Sequence, residues 1–149
     1  MSLQTKVMEA LKDAMKAKDT VALESLRAIK SAILLAKTES GASAELSEAE
    51  ELKILQKLVK QRNDSAALYT SQGRNDLAEP ELAQAAIIEK FLPKQLSEQE
   101  ISSEIAEIIS SVGASGIKDM GKVMGVASQK LAGKADGKLI STVVKKLLS

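Results

Sequence analysis

Leu92-Pro93-Lys94-Gln95-Leu96-Ser97-Glu98-Gln99-Glu100 divides this chain in two. Pro93 has no backbone donor and pushes Leu92 out of helical geometry, so a helix arriving from the N-terminal side stops here. Four residues later, Ser97 and Glu100 form a capping-box pattern. The Ser oxygen accepts from the Glu100 amide, and the Glu100 carboxylate returns to the Ser97 amide. One helix ends and another starts within a short span, and the expected domains are 1–93 and 94–149.

Downstream, Ile101, Ile105, Ile108 and Val112 recur at helical spacing. Gly113 to Gly116 reads as a turn. Met120, Met124, Ala127 and Leu131 form the seam of a second helix. Gly133-Lys134-Ala135-Asp136 is a turn with Asp136 as N-cap, and the last helix carries Leu139, Ile140, Val143 and Leu147. Three helices in so few residues make a small three-helix bundle.

Upstream, Leu3, Val7, Ala10, Leu11 and Ala14 mark a first helix behind Ser2. Ala22, Leu26, Ile29, Ile33 and Ala36 mark a second. The short Lys18-Asp19-Thr20 break between them predicts an antiparallel hairpin. After a Ser40-Gly41-Ala42-Ser43 loop, Ser47 and Glu50 repeat the capping box. A third helix follows with Leu52, Leu55, Val59 and Ala66 inward, and Gly73 ends it. Asp76 reads as the cap of a fourth helix carrying Ala85, Ile88 and Leu92, with Pro80 tolerated in the first turn. The expected fold class is all-α: an N-terminal helical hairpin plus further long helices, then the C-terminal bundle.

Composition narrows the chemistry. The 149 residues include no Cys, no His, no Trp, one Tyr and one Phe. Without His or Cys, Ser-His-Asp, Cys-His and HExxH chemistry are excluded and a zinc site is disfavoured. No phosphate-binding glycine loop of either common type occurs, so no catalytic residue, metal ligand or cofactor is assigned. The N-terminus shows no apolar signal-peptide core, and the longest apolar run, Ala32 to Ala36, is far too short for a bilayer. A cytoplasmic protein without membrane contact is expected.

Charge is uneven. Residues 113–149 hold seven Lys against two Asp, while the preceding residues are net acidic. That asymmetry points to a basic surface near the C-terminus. Lys118, Lys122, Lys134 and Lys138 are its candidate phosphate contacts, and the plainer reading of them is charge for solubility. Gly121 and Gly125 lie four apart inside a helix, where each costs about 1 kcal/mol relative to Ala. Either close helix packing or close approach of a ligand backbone would explain them. Further upstream, Lys60 and Arg62 crowd a helix with Lys53 and Lys57. They form either a phosphate stripe or a solvated face. Arg74 either meets a phosphate or pairs with Asp76. Glu98, Glu100, Glu104 and Glu107 read as a solvated acidic face.

Several strings together resemble the GatB/YqeY family, in its stand-alone YqeY-like branch. They are Leu55 with Val59-Lys60-Gln61-Arg62, Ser65, Tyr69 and Gly73-Arg74 with Asp76-Leu77-Ala78; then Leu92-Pro93-Lys94-Gln95-Leu96-Ser97; then Gly113-Ala114-Ser115, Lys118 to Met124, and Gly133 to Gly137. Pro80, Phe91 and Asn63 depart from the pattern. The resemblance implies two helical domains, the second similar to the tail of the B subunit of the glutamine-dependent aspartyl/glutamyl-tRNA amidotransferase, which engages the tRNA elbow. It also implies a family label of carbon–nitrogen ligase with glutamine as amido donor, inherited from a larger enzyme whose catalytic domains have no counterpart in these residues.

The expectation is therefore a tRNA-binding accessory protein that recognises folded RNA by shape and phosphate, with no enzymatic activity of its own. Scarce aromatics argue against stacking on single-stranded bases. The alternative is a protein-interaction module docking through the N-terminal hairpin on a tRNA synthetase or amidotransferase.

Overall fold

The computed structural model describes residues 2–39, 41 and 45–149; apart from Gly41, the expected 40–43 loop lies outside them. Among the described residues there are seven α-helices and no strand. They are α1 (Leu3–Ala17), α2 (Thr20–Glu39), α3 (Glu48–Ser71), α4 (Asn75–Glu89), α5 (Glu98–Val112), α6 (Met120–Lys130) and α7 (Gly137–Leu148). They belong to two compact units, Met1–Leu92 and Pro93–Ser149.

In the first unit α1 packs on α2, and α2 on α3 and α4. Val7, Leu11, Leu26, Ile29, Ile33, Leu55, Val59 and Ile88 fill its core. The joint between α1 and α2 is tight because both helix ends are closed locally. Lys18 adopts a left-handed conformation with φ of 55°. The amides of Lys18 and Asp19 then reach back to Met15 O and Ala14 O, a Schellman closure. Asp19 in turn caps α2, its Oδ1 accepting from the Ala22 amide at 3.1 Å.

Between α3 and α4 Gly73 takes φ of 73°. The Arg74 amide donates to Tyr69 O and the Gly73 amide to Thr70 O, closing α3 in the same way. The start of α4 differs from the sequence expectation. The helix begins at Asn75, Arg74 holds the cap position without a side-chain capping bond, and Asp76 lies inside the first turn. Its carboxylate is taken by the Arg74 guanidinium, so it is not available as a cap. Pro80 consequently falls in the second turn, where its ring displaces the bond to Asp76 O.

In the second unit α5, α6 and α7 pack on one another around Ile101, Ile105, Ile108, Val123, Ala127, Leu131, Ile140, Val143 and Val144. Ser97 and Glu100 form the capping box, with Glu100 N to Ser97 Oγ at 3.1 Å and Ser97 N to Glu100 Oε1 at 3.0 Å. The core-facing line of α7 departs by one residue from the sequence reading. Leu148 is buried and Leu147 is 41% exposed. Val144 and Leu148 continue the Ile140 line at four-residue steps; Val143–Leu147 is spaced equally well, so packing against α5 and α6 decides this end.

Candidate nucleic-acid interface

Two local devices set the lysines of the second unit. Ahead of α6, the Ser115 amide donates to Asp119 Oδ2 at 2.9 Å, and a 3₁₀ turn, Ile117–Asp119, carries Lys118 into the helix. Lys122 follows on α6 itself. At the other end, the segment before α5 is fastened to the α6–α7 turn. The Leu96 amide donates to Lys134 O at 2.9 Å, and Gln95 Nε2 donates to Gly133 O at 2.7 Å. The backbone of Lys134 is thus held while its side chain remains outside. Lys138 lies in the first turn of α7. All four lysines are exposed, and none makes a side-chain hydrogen bond or ion pair among the described residues.

The glycines of α6 decide between the two explanations offered for them. Gly121 and Gly125 are exposed, and a Cβ built on either would meet nothing within 4 Å. Close packing within the fold is therefore not their reason. Gly137, immediately before Lys138, is equally open. Val126 and Ile117 add apolar surface on the same segment, at 40% and 47% exposure. Neither was marked by the sequence.

Several other charges of this unit have local roles. Lys130 pairs with Glu104 and Glu107 across α5 and α6, at 3.2 and 3.9 Å. Glu100 is spent on the capping box, and the Ser97 backbone amide holds its carboxyl below the usual range. Lys145 and Lys146, in the last turn of α7, sit where the helix dipole favours cations.

The three upstream candidates lie in the first unit, and each is engaged. Lys60 Nζ is 3.3 Å from Asp64 Oδ2. Arg62 is half-buried and joins elements. Its Nε donates to Gln84 Oε1 at 3.1 Å and its Nη1 to Leu58 O at 3.1 Å. Gln84 continues to Glu24 Oε2 at 3.0 Å, so α2, α3 and α4 are tied by one chain of polar contacts. Arg74 forms a bidentate pair with Asp76, both bonds 3.0 Å; this pairing lowers the Asp76 pKa and raises that of Arg74. The candidates thus fall into two groups, four lysines without side-chain partners among the described residues in the second unit and three engaged cations in the first.

The described residues contain no group of three or more His, Cys, Asp or Glu placed to hold a metal, and no helix long and apolar enough to cross a membrane.

The chain is 36% identical over 106 residues to "Altered inheritance of mitochondria protein 41, mitochondrial" of Clavispora lusitaniae, covering 70% of this chain and 61% of that protein. The Meyerozyma guilliermondii protein of the same name is 34% identical over 125 residues, 80% of this chain and 63% of that one. The chain therefore spans a little over three-fifths of these fungal relatives. A stretch of 71 residues, 45% of the chain, is 39% identical to a component of the glutamyl-tRNA(Gln) amidotransferase of Thermococcus gammatolerans, of which it covers 11%. The family model of Yqey-like proteins matches residues 4–148, and the chain belongs to that family.

Proposed function

We propose that this chain is a tRNA-binding accessory protein without catalytic activity of its own, and that the surface built by α6 and the start of α7 holds folded RNA by its phosphates. The observation that carries this reading is the open glycine face. Gly121 and Gly125 each forgo about 1 kcal/mol of helix stability relative to Ala, yet nothing in the fold occupies the space. A surface without side chains lets a sugar-phosphate backbone approach the helix closely, and unpaired Lys118, Lys122, Lys134 and Lys138 supply the charge. The two aromatic rings are unsuited to base stacking. Phe91 packs against the first core and Tyr69 is half-buried on α3. Recognition by shape and phosphate remains. In this reading Lys60, Arg62 and Arg74 are structural rather than RNA contacts.

The likeness to part of an amidotransferase supports placing the chain beside that enzyme or a tRNA synthetase. We read the units as two domains, an N-terminal one built on the α1–α2 hairpin and a C-terminal three-helix bundle. The compartment is the one where tRNA is charged: the cytoplasm, or the mitochondrion that the fungal relatives' names carry.

The test is tRNA binding followed by fluorescence anisotropy over a salt series. Replacing Lys118, Lys122, Lys134 and Lys138 with Glu should abolish binding at moderate salt. The wild-type log–log salt slope should approach about −0.9 for each phosphate neutralised. Lys6, Lys12 and Lys16 to Glu on α1 is the matched control. Equal loss in both variants would mean a net-charge effect alone, and unchanged binding in the first would end the RNA reading.

A further inference from the structure

The outer side of the α1–α2 pair is a groove with an apolar floor and a basic rim. Val7 and Ile33 close its base, being 2% and 4% exposed. Met8 and Leu34 form its walls at 43% and 65% exposure. Gln4, Lys30 and Lys37 complete the lining, which contains no carboxylate. The helical repeat extends the surface along both helices. Met15, 60% exposed, lies two turns from Met8 on the same face of α1, with Lys12 between them. On α2, Arg27 and Lys30 precede Leu34 by seven and four residues and share its face. The cations Lys12, Arg27 and Lys30 are exposed and unpaired among the described residues. Lys37 also acts on Glu51 of α3, where it opposes the upward shift caused chiefly by burial of that carboxyl.

We propose that this groove docks an acidic amphipathic helix of a partner protein. Apolar side chains spaced one turn apart would lie between Met8 and Leu34, and flanking Asp or Glu would meet Lys12, Arg27, Lys30 and Lys37. Two helices already side by side offer a third the ridge-and-groove surface on which helices pack. Exposed methionine adapts its shape to the side chain that arrives. The charged residues named on the lining and along its two helices, Lys12, Arg27, Lys30 and Lys37, are all cations, which selects an acidic occupant and steers its approach. Phosphate alone would leave Met8, Leu34 and Met15 uncovered, so the apolar floor favours protein over RNA. The inference stands apart from the RNA reading, which concerns other residues in the other unit.

The experiment is selection of a displayed library of helical peptides, about four turns long, against the full chain, with the Leu34→Asp chain as counter-target. Leu34 is mostly outside the core, and circular dichroism verifies that the variant folds. Surviving peptides should carry apolar residues at i, i+3 or i+4, and i+7, flanked by Asp and Glu. They should shift the amide resonances of α1 and α2, and they should bind the Lys30→Glu, Lys37→Glu double variant at least about tenfold more weakly. Survivors that are basic, or that bind the wild-type and Leu34→Asp chains equally, would overturn the proposal. So would self-association of the wild-type chain lost in Leu34→Asp, binding to anionic vesicles lost in the same variant, or tRNA crosslinks at α1 and α2. Because tRNA affinity is measured separately with the lysines of the second unit, each reading fails on its own.

Discussion

Lys18 is the one non-glycine residue with positive φ among those described. A side chain in that conformation costs roughly 1–2 kcal/mol, and the Schellman closure of α1 requires it. Lys18→Gly should therefore stabilise the protein by about 1 kcal/mol in urea unfolding; a loss of stability would mean that the lysine side chain makes up more than its backbone costs. Gly125 is the converse case. Its conformation suits any residue and its surroundings are open, so Gly125→Ala should add about 1 kcal/mol. The same change should weaken tRNA binding, because a methyl group would stand where the RNA backbone approaches. A more stable variant with unaltered affinity would leave the glycine without a ligand-based reason.

Capping governs the elements. Both capping boxes, Ser47–Glu50 and Ser97–Glu100, were legible in the sequence because each rests on two residues three apart, a local geometry that packing does not override. Ser97→Ala should cost about 1 kcal/mol in thermal unfolding. The sign of the pH effect follows from the Glu100 carboxyl, whose folded-state pKa is lowered, first by the Ser97 amide. The unfolded chain then binds the proton more readily, so this contribution is present above the ordinary glutamate range and is lost as pH falls through the lowered value. Glu100→Gln should flatten that part of the stability–pH curve, and an unchanged curve would assign the acid sensitivity to other carboxyls. The start of α4 departs from the sequence reading for the opposite reason. Asp76 has the composition of a cap, but Arg74 two residues earlier captures its carboxylate, and the helix begins before it.

For the whole molecule, each unit buries its own core. A fragment of residues 93–149 should give a helical circular-dichroism spectrum and a cooperative, though shallow, thermal transition, as expected for a core of this size. Limited proteolysis of the full chain should cut early near residues 92–97. A fragment that remains unfolded alone would mean that the second unit depends on the first.

Periodicity, proline and the capping pairs by themselves determined that the chain is helical, where most helices start and stop, and many of the apolar residues that face inward, because these depend on neighbours within one or two turns. They did not mark Val123 of α6, which is fully buried, and they placed Leu52 of α3 inward, where it is only half-buried. Even there, the face of α7 was settled only when α5 and α6 chose between Leu147 and Leu148. What each charge is for lay beyond the sequence. Lys60, Arg62 and Arg74 look no different in the chain from Lys118 and Lys122, yet the first three meet Asp64, Gln84 and Asp76 while Lys118 and Lys122 are exposed without a side-chain partner among the described residues. Whether Gly121 and Gly125 were packed or bare was equally undecided until the fold was known. A side chain's partner, or the lack of one, depends on which helices lie across from it, and only tertiary packing sets that.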